Sequence, residues 1–150
     1  GVRLMIELGS HSEEGPVSLA QIAESENLPL AYLERIVAHL KKADLVISKR
    51  GAHGGYVLAR PSDEITMDEI VSAVEGAIAP MECFVEDGVT RVLCSHEGEH
   101  PQACATKVLW TRVQMGIVRA LQSTTLAELV GISEGQPLRS ASDEAVPAAV

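Results

Sequence analysis

Three cysteines, Cys83, Cys94 and Cys104, carry the most reactive chemistry in this sequence, and the stretch that holds them also contains His96 and His100. A thiolate is the soft ligand that iron-sulfur clusters and zinc require. From Gly76 to Gln102 the apolar residues keep neither a helical nor a strand period, so the thiols sit in an irregular segment much longer than an ordinary connection. The gaps of ten and nine residues match neither a zinc knuckle nor a ferredoxin run. One free cysteine is usually a small buried apolar side chain, but three in one polar loop with two histidines point to metal ligation. Cys104 stands where a long helical pattern begins, and the positive end of a helix dipole favours the thiolate there. His96 and His100 are open as a fourth ligand, against the plainer reading of solvated side chains beside Glu97 and Glu99. An odd, widely spaced cysteine count argues against a secreted disulfide framework and for a reducing, cytoplasmic setting.

A second group of residues suits contact with an anion. The net charge is -9, yet residues 31 to 60 hold six basic side chains (Arg35, Lys41, Lys42, Lys49, Arg50, Arg60) against Glu34 and Asp44, a local +4 that leaves -13 elsewhere. Affinity for duplex DNA comes largely from Lys and Arg at phosphates, so this distribution reads as a footprint on an acidic body. The alternative is a solvated charged face. Within the stretch, Arg35 suits guanine or a phosphate, Glu34 suits the cytosine amine, and Tyr32 suits either a phosphate or packing under a hairpin. Lys49, Arg50 and His53 fall among the glycines of a hairpin tip. Glu7 and His11, four apart, read as a surface pair or as ligands shared across a dimer.

These residues need elements to carry them. Leu4, Met5 and Leu8 give a first helix over Val2 to His11, broken by Gly15-Pro16. Ser18 with Gln21 forms a capping box for a short helix carrying Leu19, Ile22 and Ala23, and Pro29 then starts a helix over Leu30 to Lys42 whose buried stripe is Leu33, Ile36, Val37 and Leu40. Leu45 to Ile47 and Tyr56 to Leu58 flank Ser48 to Gly55 as a hairpin. Thr66 with Glu69 opens a further helix through Ile70, Val71 and Val74. Periodicity returns at Ala103, with Leu109, Val113, Ile117, Ala120 and Leu121 on one stripe and Trp110, Met115 and Val118 beyond it. A helix apolar on two sides has two partners, its own domain and a second subunit. The pattern predicts a mainly α fold with a small β-hairpin wing, a winged helix-turn-helix plus a long C-terminal dimerisation helix. Its expected parts are residues 1-75 for DNA binding, 76-102 as a cysteine-bearing sensor loop, 103-130 as dimerisation and closing helices (the latter from Thr125 to Leu129), and 131-150 as a flexible tail.

Other functions find little support. No apolar run approaches the ~18 residues that span a bilayer. Only four residues are aromatic, so the core must be aliphatic and a base-stacking platform is not expected. There is no phosphate loop, nucleophile elbow or HExxH helix, and the chain is not expected to be an enzyme. Gly1 opens on a helical pattern already running, which reads as a start inside a longer chain and not as a leader.

Several stretches in order resemble the Rrf-type regulators, the family that includes IscR, NsrR and RirA. They are Gly15-Pro16-Val17 with Leu19 to Ile22, Tyr32-Leu33-Glu34, Leu45-Val46 through Arg50-Gly51, Gly54-Gly55-Tyr56, Glu82-Cys83-Phe84, and Thr125-Leu126 with Glu128-Leu129. The similarity runs from Val2 to about Val130. It implies a homodimer crossing long helices, a palindromic double-stranded operator, and an iron-sulfur cluster, 4Fe-4S or 2Fe-2S, on Cys83, Cys94 and Cys104. It also implies base contacts from Glu34 and Arg50, with Ala31 at a place that is often polar. Two features depart from the family pattern. Lys107 stands where the IscR-like pattern has histidine, and the cysteine gaps are longer than usual, so the fourth ligand falls to His96, His100, solvent or an acidic residue of the partner's first helix. Two further readings stay open: DNA binding with the cysteines as a thiol redox switch or zinc site, and a cluster carrier or interaction module without DNA binding.

Overall fold

The computed structural model describes residues 1-51, 53-78 and 105-137. Cys83, Cys94, Cys104, His96, His100, nearly all of the expected sensor loop and most of the expected tail lie outside these residues.

Helix α1 (Val2–Ser10) turns Leu4, Met5 and Leu8 into the core. Helix α2 (Leu19–Ser25) starts at the capping box read from the sequence: the Gln21 amide donates to Ser18 Oγ at 3.2 Å and the Ser18 amide to Gln21 Oε1 at 3.0 Å. The turn into α3 (Leu30–Lys42) is fixed by a C-terminal motif that the sequence reading had not included. Asn27 takes φ 51°, the Leu28 amide donates to the Ala23 carbonyl at 3.0 Å, and the Asn27 amide to that of Glu24 at 3.3 Å. Helix α3 ends in the same way on Asp44 (φ 55°), with the Leu45 amide on the Leu40 carbonyl and the Asp44 amide on that of Lys41. Leu40 and Leu45 are both buried, the apolar contact that accompanies such an end. The expected stripe of Leu33, Ile36, Val37 and Leu40 is the buried one.

Strands β1 (Val46–Lys49) and β2 (Gly55–Leu58) pair antiparallel, Val46 opposite Leu58 and Lys49 opposite Gly55. The turn is therefore shorter than the expected tip, because Ser48 and Lys49 belong to the ladder. Val17 adds an isolated bridge on the other edge of β2 through reciprocal bonds with Tyr56 at 3.0 and 2.8 Å. A 3-10 turn (Ser62–Glu64) leads to α4 (Met67–Glu75), which opens on the predicted Thr66–Glu69 box. Helices α5 (Ala105–Ser123) and α6 (Leu126–Ser133) complete the order. Met67 and Leu126 sit at neighbouring helix starts, tied by amide bonds to Thr124 (2.9 Å) and Ile65 (2.8 Å).

The core is aliphatic, as the composition requires: Leu4, Met5, Leu8, Ile22, Leu33, Leu40, Leu45, Ile65, Ile70 and Leu126 are all nearly inaccessible. Burying each such side chain stabilises by about 1.5–3 kcal/mol, several times what one helix cap contributes, so packing and not capping fixes how α2, α3 and the wing sit together. Two sequence boundaries move. Helix α6 continues past Leu129 to Ser133 with Gly131 buried inside it, and ends where Gly135 (φ 90°) lets the Gln136 amide reach the Gly131 carbonyl at 2.9 Å. The expected tail thus begins later than Gly131. On α5, Leu121 packs against the core and leaves the stripe of Leu109, Val113 and Ile117, because twelve residues at 100° each carry it a third of a turn around the helix.

Candidate nucleic-acid interface

Burial of Leu33, Ile36, Val37 and Leu40 forces the opposite side of α3 outward, so Ala31, Tyr32, Glu34, Arg35, Ala38, His39, Lys41 and Lys42 are all exposed. Tyr32 is 49% exposed, which sets aside its packing under the wing. That role belongs to Tyr56, which lies against the core with Lys41 Nζ 5.9 Å from its ring centre. Lys41 Nζ also donates to Ser48 Oγ of β1 at 3.3 Å, so one lysine joins the helix to the wing.

Lys49, Arg50 and His53 are exposed at the wing end. The hairpin carries them through its glycines. Gly51 takes φ 136°, and a Cβ on Gly54 would stand 2.7 Å from the Lys49 carbonyl oxygen. Gly55 is more constrained, since its Cβ would come within 2.4 Å of the Val17 carbonyl oxygen. The six side chains expected to meet DNA therefore lie on two consecutive elements whose exposed sides carry them, the third helix and the wing.

Arg60 leaves this footprint. Its Nη2 donates to Glu69 Oε1 at 2.7 Å and its Nη1 to the Glu64 carbonyl at 3.2 Å, so it braces the wing's exit against α4. Burial pushes the Glu69 carboxyl up, but the bond from the Thr66 amide, and then those from Arg60, outweigh it and hold the group below the usual glutamate value. The Thr66–Glu69 signal was visible as a cap; nothing in sequence spacing pointed to Arg60 as its third member. Glu7 and His11 form a local pair, His11 Nδ1 lying 2.9 Å from the Glu7 carbonyl oxygen and 4.0 Å from its carboxylate.

Helix α5 is about 28 Å long at 1.5 Å per residue. Trp110, Gln114, Val118 and Leu121 face the body and are partly buried, while Leu109 (59%), Val113 (37%) and Ile117 (40%) are exposed along one flank of them and Val108 and Met115 are exposed on the opposite flank. Among the described residues no helix is long and apolar enough to cross a membrane, and no cluster of His, Cys, Asp or Glu is placed to hold a metal ion.

A two-helix turn, a wing and a basic exposed face are the parts of a winged-helix DNA binder, and comparison with known proteins narrows this further. The profile of the Rrf2 family, "Iron-dependent Transcriptional regulator", matches residues 1–132. The chain belongs to the Rrf2 family. It is 40% identical to the HTH-type transcriptional regulator CymR of Bacillus subtilis (strain 168), over 91% of this chain and 88% of that protein. It is 36% identical to the HTH-type transcriptional regulator IscR of Sodalis glossinidius (strain morsitans), over 89% of this chain and 75% of that one. The solved structure of CymR, "the Global Cysteine Regulator of B. subtilis", superposes with a TM-score of 0.69 at 41% identity, covering 87% of this chain and 89% of that one. This Rrf2 protein is thus a winged-helix transcription regulator and not an enzyme, and binding DNA follows from that role.

Proposed function

We propose that this Rrf2 protein is a cytoplasmic homodimer that binds a palindromic operator through Tyr32, Glu34, Arg35, Lys49, Arg50 and His53, and that Cys83, Cys94 and Cys104 form its sensor as ligands of an iron-sulfur cluster. The observation that carries the DNA-binding part is the exposed, locally basic face of α3 and the wing on a molecule that is otherwise acidic. The exposed apolar side of α5 supports the dimer, since a two-fold axis lets one such stripe cover its own copy.

The donor set fits a cluster: three soft thiols lie in the chain between α4 and α5, and the profile match includes all of them. Lys107, exposed in the first turn of α5, does not fit as the fourth ligand because an ammonium offers no lone pair. A bound cluster would supply sensitivity to iron, redox state or nitric oxide. The surrounding residues supply the linkage. Helix α4 packs against both α3 and α5, and Gln114 Nε2 donates to the Ile78 carbonyl at 2.8 Å, at the threshold of the sensor segment. A shift of α4 there reaches the recognition helix directly.

Anaerobic purification with iron and acid-labile sulfide analysis and a visible spectrum tests the sensor. Cys94→Ala should remove the visible absorbance and change DNA affinity; an unchanged spectrum rules out that ligand. Arg50→Ala should weaken operator binding with the spectrum intact. A second reading, in which the cysteines form a thiol redox switch or a zinc site, is kept open by the 40% identity to CymR, described in its solved structure as a global cysteine regulator and not as a cluster protein. Iron with labile sulfide in the anaerobic protein excludes it.

A further inference from the structure

We infer that Ala31 is a specificity determinant of this chain, its methyl group packing against the C5-methyl of a thymine in each operator half-site. The inference rests on the DNA-binding reading above and adds the base that is read.

The buried stripe of α3 fixes which side chains stand highest on its outer side. Measured around the helix at 100° per residue, the direction opposite Leu33, Ile36, Val37 and Leu40 falls on Ala31, Ala38 and Lys42, with Glu34 and Arg35 to either side. Ala31 and Ala38 are both exposed, and Ala31 lies in the first turn, the part of such a helix that meets base edges. Short side chains on the crest let the helix backbone approach the groove floor while Glu34 and Arg35 reach past it.

A methyl group offers neither donor nor acceptor, so it cannot satisfy the edges of guanine, adenine or cytosine. Placed against any of them it leaves polar atoms desolvated and unpaired. In the major groove the thymine methyl is the one apolar feature among the four bases. A thymine facing Ala31 is therefore the pairing that sets methyl against methyl and leaves the fewest polar atoms covered by an apolar group. Ala38, two turns further on, stands too far along α3 to share the same base.

The test uses a duplex enriched from a random-sequence library by the wild-type protein. Each thymine is replaced in turn by deoxyuridine, which removes only the C5-methyl and keeps base pairing. At one symmetry-related position the wild type should lose about fourfold in affinity per half-site, the worth of one buried methyl-sized group. Ala31→Gly should bind the thymine duplex more weakly but show no difference between thymine and deoxyuridine there. The comparison is a ratio on one protein preparation, so any change in folded fraction cancels. Deoxyuridine without effect at every position, or an Ala31→Gly protein that keeps the wild-type ratio, overturns the assignment. If the wild type enriches no duplex and shows no salt-dependent binding, the DNA-binding reading itself fails.

Discussion

At Gly55 the backbone of the wing and the carbonyl of Val17 approach so closely that a single added carbon would stand 2.4 Å from that oxygen. The neighbour is backbone held by two hydrogen bonds to Tyr56, so it cannot step aside without opening the bridge between Val17 and β2. Gly55→Ala should destabilise the fold by about 2 kcal/mol or more, read in a urea or thermal melt, and should weaken operator binding through a displaced Arg50. Glu69 gives a second residue-scale outcome. Its carboxyl is held below the usual value by the Thr66 amide and then by Arg60, so these interactions of the charged form contribute fully above the ordinary glutamate range, about pH 4.3, and the contribution is lost as pH falls through the lowered value. Glu69→Gln should therefore cost stability at neutral pH, with the gap to wild type closing below about pH 4. A gap independent of pH would show that the charge of Glu69 adds nothing to its contacts with the Thr66 amide and Arg60. The side chain is 39% exposed, so solvent screening keeps the effect modest.

The short helices were legible because their signals are local. Ser18 with Gln21 and Thr66 with Glu69 are four-residue patterns whose bonds close within the pattern itself. The span of α3, Leu30 to Lys42, was legible as well, but the motifs that close α2 and α3 were not, because the residues in the left-handed region are Asn27 and Asp44, where glycine would have announced them. Val17 with Tyr56, and Arg60 with Glu69, escaped for the opposite reason: each joins parts of the chain that only the tertiary fold brings together. The ends also offer a test. At φ 55° Asp44 has a Cβ that crowds its own backbone, and it places an acid among the basic residues of α3 and β1. Asp44→Gly should stabilise the protein by about 0.5–1 kcal/mol, seen as a higher melting temperature, and should tighten DNA binding at low salt. A loss of stability would mean that the carboxylate makes compensating local bonds.

For the molecule as a whole, the balance of charge favours the proposed dimer over a single copy as the DNA-binding unit. With Arg60 engaged by Glu69, the locally positive face rests on Arg35, Lys41, Lys42, Lys49 and Arg50, set on a chain whose net charge is -9. Each phosphate contact contributes a slope of about -0.9 to the dependence of log affinity on log salt, so a single protomer reaches only a shallow slope and a weak complex. Two protomers joined through the exposed stripe of Leu109, Val113 and Ile117 double the contacts and make the second half-site's binding intramolecular. Val113→Glu places two carboxylates at such a crossing without touching the wing or α3. Sedimentation should show the variant to be monomeric with an unchanged helical content. Its operator affinity should fall by about 10²-fold or more, and the salt slope should drop to about half that of wild type. A monomeric variant that kept the full slope would mean that one protomer already supplies every phosphate contact, and the exposed side of α5 would then need another partner.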